Sequence, residues 1–186
     1  MKTATRELID LLHGSDEFLM ADLFRITLSN GQILRHTNAD MPVVWDGQTY
    51  EAHKLIIKRG ATRVAVGLDV DSNTLEIAAE PDYRLEGLQW SEAALGGALD
   101  GARVVIERIF FSDWATPVGA VVIFSGRVSD VSGSRSAVKV DVKSDIELLN
   151  VSSPRNIYQA GCMRTLYDGG CKVNREKFTV NGRVTA

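Results

Sequence analysis

Two dipeptides constrain this chain more than any other feature. Asn30-Gly31 stands between the alternating segment Leu23–Ser29 and the segment Gln32–Thr37, and Asp46-Gly47 stands between Val43-Val44-Trp45 and Gln48-Thr49-Tyr50. Both residue pairs tolerate the positive φ of a type I′ turn, which matches the twist of two antiparallel strands. In Leu23–Ser29, Phe24, Ile26 and Leu28 face one way and Leu23, Arg25, Thr27 and Ser29 the other. Two such turns so close together predict a small antiparallel meander, and they argue against a helix-covered parallel sheet.

The β pattern continues down the chain. Ile56–Arg59 and Thr74–Ala78 read as strands, and Pro81-Asp82 breaks the pattern. Ala102–Phe111 is nearly all β-branched, apolar or aromatic. Val121–Phe124 follows after a loop holding Asp113, Trp114 and Pro117. Val138, Val140 and Val142 alternate with Lys139, Asp141 and Lys143, one face buried and one wet, after a turn at Gly133-Ser134. Two segments read as helix. Residues 2–13 carry Leu8, Ile9, Leu11 and Leu12 on one side and Arg6, Glu7 and Asp10 on the other, and Gly14 stops them. This segment is a capping helix on the β-domain or a docking arm for a neighbouring subunit. Ser91 is placed to cap a helix over Glu92–Leu99, which Gly96-Gly97 weaken. The expected fold is mainly β: an antiparallel sandwich or barrel-like domain over 15–150, which could divide into two subdomains near 81–100. An N-terminal amphipathic arm (1–14) precedes it, and an irregular cysteine-containing connector and tail (151–186) follows.

Charge narrows the function. The chain has 21 basic and 24 acidic residues, well mixed, for a formal net charge of −3. A nucleic-acid binder shows a basic excess or stripe, so direct nucleic-acid binding is not expected. No apolar run is long enough for a membrane span. Arg6, Glu7 and Asp10 interrupt any signal-peptide core, so synthesis in a cytoplasm without export is expected.

Chemistry-bearing motifs are sparse. There is no P-loop, dinucleotide fingerprint, His-Glu-x-x-His or Gly-x-Ser-x-Gly. Asp69, Asp71 and Asn73 resemble the start of a calcium loop but lack its glycine and distal Glu, so a solvated turn is expected. His13, His36 and His53 are isolated from one another, and Trp45, Trp90 and Trp114 read as packing residues. The anomaly is Cys162 and Cys171, with Gly161 before the first and Gly169-Gly170 before the second. Glycines let backbone amides approach sulfur closely, as thiolate–metal sites require. Metal or cluster ligation, free thiols and a disulfide all remain open on the residues alone.

Ser153-Pro154-Arg155-Asn156-Ile157-Tyr158-Gln159-Ala160-Gly161-Cys162, with Leu166-Tyr167-Asp168-Gly169-Gly170-Cys171, resembles the C-terminal signature of a phage tail hub family of siphophages and gene transfer agents. Asp22–Leu28 with Asn30-Gly31, then Gly47–Tyr50, Gly101–Val104 and Phe124–Val128, fit the same family in the same order, so the resemblance spans nearly the whole chain. It implies a non-catalytic β-rich subunit of the tail tip or baseplate, assembled in the host cytoplasm and carried in the virion. Its partners would be the distal tail ring, the central hub and the tape measure, with several copies in a homo-oligomer or ring around the tail axis. It also implies that Cys162 and Cys171 are two of four thiolate ligands of a [4Fe-4S] cluster, the other two lying beyond Ala186 or on another chain. Two other classes compete with this reading. A carbohydrate- or host-surface-binding β-module would need exposed aromatics in a groove. A cell-wall-degrading or redox enzyme would need paired carboxylates or a thiol beside a base.

Overall fold

The computed structural model describes residues 4–14, 17–62, 70–134, 136–149, 161, 164, 166, 167 and 169–178. The chain divides into two compact units, Met1–Leu149 and Asn150–Ala186.

The first unit is built on one sheet. Its strands are β1 (Leu19–Thr27), β2 (Ile33–Thr37), β5 (Leu55–Arg59), β6 (Ser72–Ala79), β9 (Arg103–Asp113), β10 (Thr116–Gly133) and β11 (Val138–Lys143), with β3 (Val43–Trp45) and β4 (Gln48–Tyr50) forming a separate ribbon, as do β7 (Arg84–Leu85) and β8 (Leu88–Gln89). The sheet runs β2-β1-β9-β10-β11-β6-β5, and all its pairings are antiparallel. It curls until its two edge strands face each other. The connection into β5 closes the gap: Thr37 N donates to Glu51 O and Glu51 N donates to Arg35 O, both at 3.0 Å, giving a parallel bridge between His36 and Glu51. The expected barrel-like antiparallel fold is therefore present.

Strand alternation fills the interior. Phe24, Ile26, Leu55, Ile57, Leu75, Ile77, Val104, Ile106, Val138, Val140 and Val142 all turn inward, and each such side chain stabilises the fold by about 1.5–3 kcal/mol. A second cluster, with Ala21, Leu23, Ile109 and Phe111 on the opposite face of β1 and β9, is covered by Val43 and Tyr50 of the β3–β4 ribbon. Both faces of this part of β1 are thus buried.

The local chemistry departs from the sequence reading in three places. At Asp46-Gly47 both residues have positive φ (50° and 68°), as a type I′ turn demands, whereas at Asn30-Gly31 only Gly31 does (87°). Leu28 N donates to Gln32 O, so the loop has three residues and ends on a left-handed glycine. Asn30 instead works through its side chain, accepting from Gln32 N (2.8 Å) and donating to Glu86 (2.6 Å). The internal helix, α2 (Trp90–Ala93), begins at Trp90 rather than after Ser91. Gln89 precedes it in extended conformation without a side-chain cap, because burial of Trp90 and Ala93 fixes the segment instead. The helix widens over Ala94–Ala98 and ends where Gly97 adopts φ 98°. The β9–β10 turn is shorter than expected, with Pro117 inside β10 at a register irregularity, where a missing N–H is tolerated.

Candidate functional site

The N-terminal helix α1 (Arg6–Gly14) starts at Thr5, whose hydroxyl accepts from Leu8 N at 3.4 Å. Its residue Leu8 is fully buried. A Cβ added at Gly119 of β10 would lie 3.0 Å from Leu8 Cβ, so the glycine makes the seat for this leucine. Gly119 is directly opposite Phe110 in the β9–β10 ladder, and Phe110 is opposite Met20 in β1. Directly opposed residues share a face, so α1 lies over the face that carries Met20 and Phe110.

Only part of the apolar surface of α1 is used in this docking. Ile9 (43%) and Leu12 (38%) remain exposed, as do Phe18 (41%), Met20 (48%) and Trp114 (46%). Phe18 meets Phe110 edge to face at 6.1 Å, and Trp114, in the β9–β10 turn, meets Phe111 at 5.6 Å. Leu11, Phe18, Leu19, Met20 and Phe111 line a cavity of about 700 Å³ at this end of the domain. Single exposed apolar residues are ordinary, whereas a cluster of them beside an open groove marks an interaction surface.

On the same face of β1 and β9, one pair further along, lies a charged group that the sequence reading did not single out. Asp22, 4% exposed, accepts from Arg108 Nε (2.8 Å), Arg108 Nη2 (3.2 Å) and Arg59 Nε (2.9 Å). Its backbone is held too: Asp22 N donates to Asn38 Oδ1 at 2.7 Å, and Asp22 O accepts from Thr37 Oγ1 at 3.1 Å. Burial is the largest single influence on its carboxyl and raises the pKa. The hydrogen bonds and charges of Arg108 and Arg59 together outweigh it and hold the group below its ordinary 3.8. This trio ties β1, β5 and β9 together. Its sequence signal is a charge interrupting an apolar run: Asp22 within Ala21–Phe24, and Arg108 within Val104–Phe111.

The remaining candidates separate. His13 and His53 are exposed, and the His53 ring meets Asp40 O at 2.8 Å. His36 and Trp90 are buried, and Trp45 is half-buried. Asn73 is buried in β6, where its Nδ2 donates to Thr62 Oγ1 at 2.9 Å, so it belongs to a strand and not to the expected solvated turn; Asp69 lies outside the described residues. In the second unit, Cys171 is half-buried, and a single helical turn, Arg175–Lys177, is capped by Asn174 Oδ1 accepting from Glu176 N at 2.9 Å. Cys162 lies outside the described residues. Among the described residues, no three His, Cys, Asp or Glu side chains converge as a metal site would need. Among them, too, no helix is long and apolar enough to cross a membrane.

Comparison with known proteins agrees with this architecture. Residues 5–174 match the family model described as "Baseplate hub protein, N-terminal attachment domain". A chain of the "Virion of native gene transfer agent (GTA) particle" has a similar structure, with a TM-score of 0.66 at 25% identity. The match covers 90% of this chain and 54% of that one, so this chain spans about half the length of its structural relative. The comparison with curated proteins gives no match. With nearly all of its described domain inside one family's boundaries, the chain belongs to the baseplate hub proteins, as their N-terminal attachment domain, and is a structural component of a phage-type tail.

Proposed function

We propose that this domain is a non-catalytic module that joins the distal tail ring to the central hub during tail assembly, through the apolar end built by α1, the start of β1 and the β9–β10 turn. The observation that carries the reading is the half-used helix: Leu8 is seated on Gly119 while Ile9 and Leu12 stay exposed, and Leu11 lines a groove with the exposed Phe18 and Met20. A helix serving only as a cap would turn its apolar stripe fully inward. Several copies around the tail axis would place this end repeatedly against neighbouring subunits. Deletion of residues 1–14 is expected to leave the barrel folded, with its circular dichroism spectrum retained, and to lower incorporation into purified particles at least tenfold. Full incorporation of the truncated chain would remove the docking role.

Cys162 and Cys171 fit the same reading as two thiolate ligands of a [4Fe-4S] cluster that staples the second unit. The support is their glycine-flanked spacing and the family resemblance of the surrounding sequence. Such a cluster would order a segment poor in aliphatic residues, as structural zinc does elsewhere. Anaerobically purified full-length protein should then be brown, contain iron and sulfide, and absorb in the iron–sulfur charge-transfer region. Cys→Ser at either position should remove the iron. Iron-free protein that assembles normally would dismiss the cluster.

A further inference from the structure

The closure of the barrel contains a buried imidazole, one ring nitrogen of which has no hydrogen-bond partner among the described residues. His36 is 2% exposed and sits in β2 at the bridge to Glu51. Its ring packs edge to face on Tyr83 at 5.9 Å, and Tyr83 packs in the same way on Trp90 at 6.1 Å. Its Nδ1 is buried and has no hydrogen-bond partner among the described residues.

The groups around it come from two segments. The connection into β5 presents Glu51 and Lys54, tied to each other at 3.0 Å. The segment before β7 presents the Tyr83 hydroxyl, whose pKa burial pushes up, so it stays neutral. None of these supplies an acceptor to Nδ1. Glu51, the anion that acts on His36, already bonds Lys54.

We infer that His36 makes closure of the barrel acid-sensitive: protonated, its ring is released to water only if β2 parts from the Glu51–Lys54 segment. Two backbone hydrogen bonds, Thr37 N to Glu51 O and Glu51 N to Arg35 O, hold that junction, so it can open while the long β9–β10 ladder stays paired. Burial, the largest influence, lowers the pKa of His36 from 6.5 to about 4, against the opposing pull of Glu51 and with a smaller push from Lys54. A group depressed in this way favours the closed form fully above about pH 6.5 and progressively less as the pH falls toward 4.

Native-state hydrogen exchange on the whole chain tests this. After correction for intrinsic exchange, the opening equilibrium reported by the Thr37 and Glu51 amides should rise about 30-fold between pH 7.5 and pH 5. The Ile106 and Ile109 amides of β9 should hold steady. His36→Phe, which keeps an aromatic edge toward Tyr83, should abolish the pH dependence. In the wild-type chain, the His36 ring resonances should titrate well below the ordinary 6.5 of a histidine, a readout that does not depend on the variant folding. Junction amides that ignore pH, junction amides that follow β9 in parallel, or a His36 ring titrating near 6.5 would each overturn the inference.

Discussion

Asp22→Asn should destabilise the domain by about 3 kcal/mol, because it removes the buried anion that two half-buried guanidinium groups share and leaves their charge uncompensated. Arg59 and Arg108 side chains are only 18% and 29% exposed, so water reaches them poorly. For a domain of this size the loss corresponds to a fall in melting temperature of about 10 °C, measurable by calorimetry. The backbone bonds to Asn38 and Thr37 do not use the carboxylate and are retained. The wild-type trio should also fail in acid. Its carboxyl is depressed below 3.8 in the folded state, so its contribution is present above that pH and is lost as pH falls through the folded value. Replacing all three members with Leu or Met should recover most of the loss, since an apolar cluster of similar volume has no charge to desolvate. An Asp22→Asn protein with unchanged stability would show the trio to be incidental.

Gly126→Ala should cost about 3 kcal/mol, a large effect for one methyl group. An added Cβ would run into the backbone carbonyl of Lys143 and come within 3.1 Å of the Phe124 ring. A side chain can rotate away from such a collision, but the main chain of a paired strand cannot. Gly126 sits in β10 opposite Val104, next to Arg127, which pairs with Lys143 of β11. Relief would therefore have to separate β10 from β11. Gly14→Ala is the matched control, since a Cβ there meets nothing within 4 Å. It should be neutral or slightly stabilising, because alanine favours helix over glycine. Equal denaturation midpoints for the two variants would contradict the packing account.

The parts of this fold that were legible in the sequence are those governed by neighbours along the chain. Asp46-Gly47 meets the φ requirement of its turn by residue type alone, and Val138, Val140 and Val142 are buried as their alternation predicts. The apolar side of α1 could be read in the same way. Pairing between distant segments could not. Periodicity says that Leu19–Thr27 is a strand, but nothing local says that Leu19 lies opposite Phe111. The Asp22 trio was missed for the same reason: a lone Asp in an alternating strand reads as a solvent-facing residue until both faces of that strand prove to be covered. His36 likewise looks ordinary in sequence. Its character comes from Glu51 and Tyr83, which the topology alone brings to it. At the candidate docking end, the helix was visible from its stripe, whereas its seat, Gly119, carries no side chain and therefore no pattern.

The strand order has a consequence for how the protein is made. Arg59 follows Asp22 by 37 residues and Arg108 follows it by 86. At ribosomal speeds of roughly 5–20 residues per second, β1 emerges on the order of ten seconds before the strand that pairs with its inner edge. During that interval the β1–β2 hairpin can form locally, but the second guanidinium for Asp22 does not yet exist and the inner edge of β1 is open. Non-local pairing of this kind is the slow step in β-rich chains. The arrival of β9 both completes the carboxylate's coordination by arginine and pairs the open edge of β1, so this part of the native topology forms late.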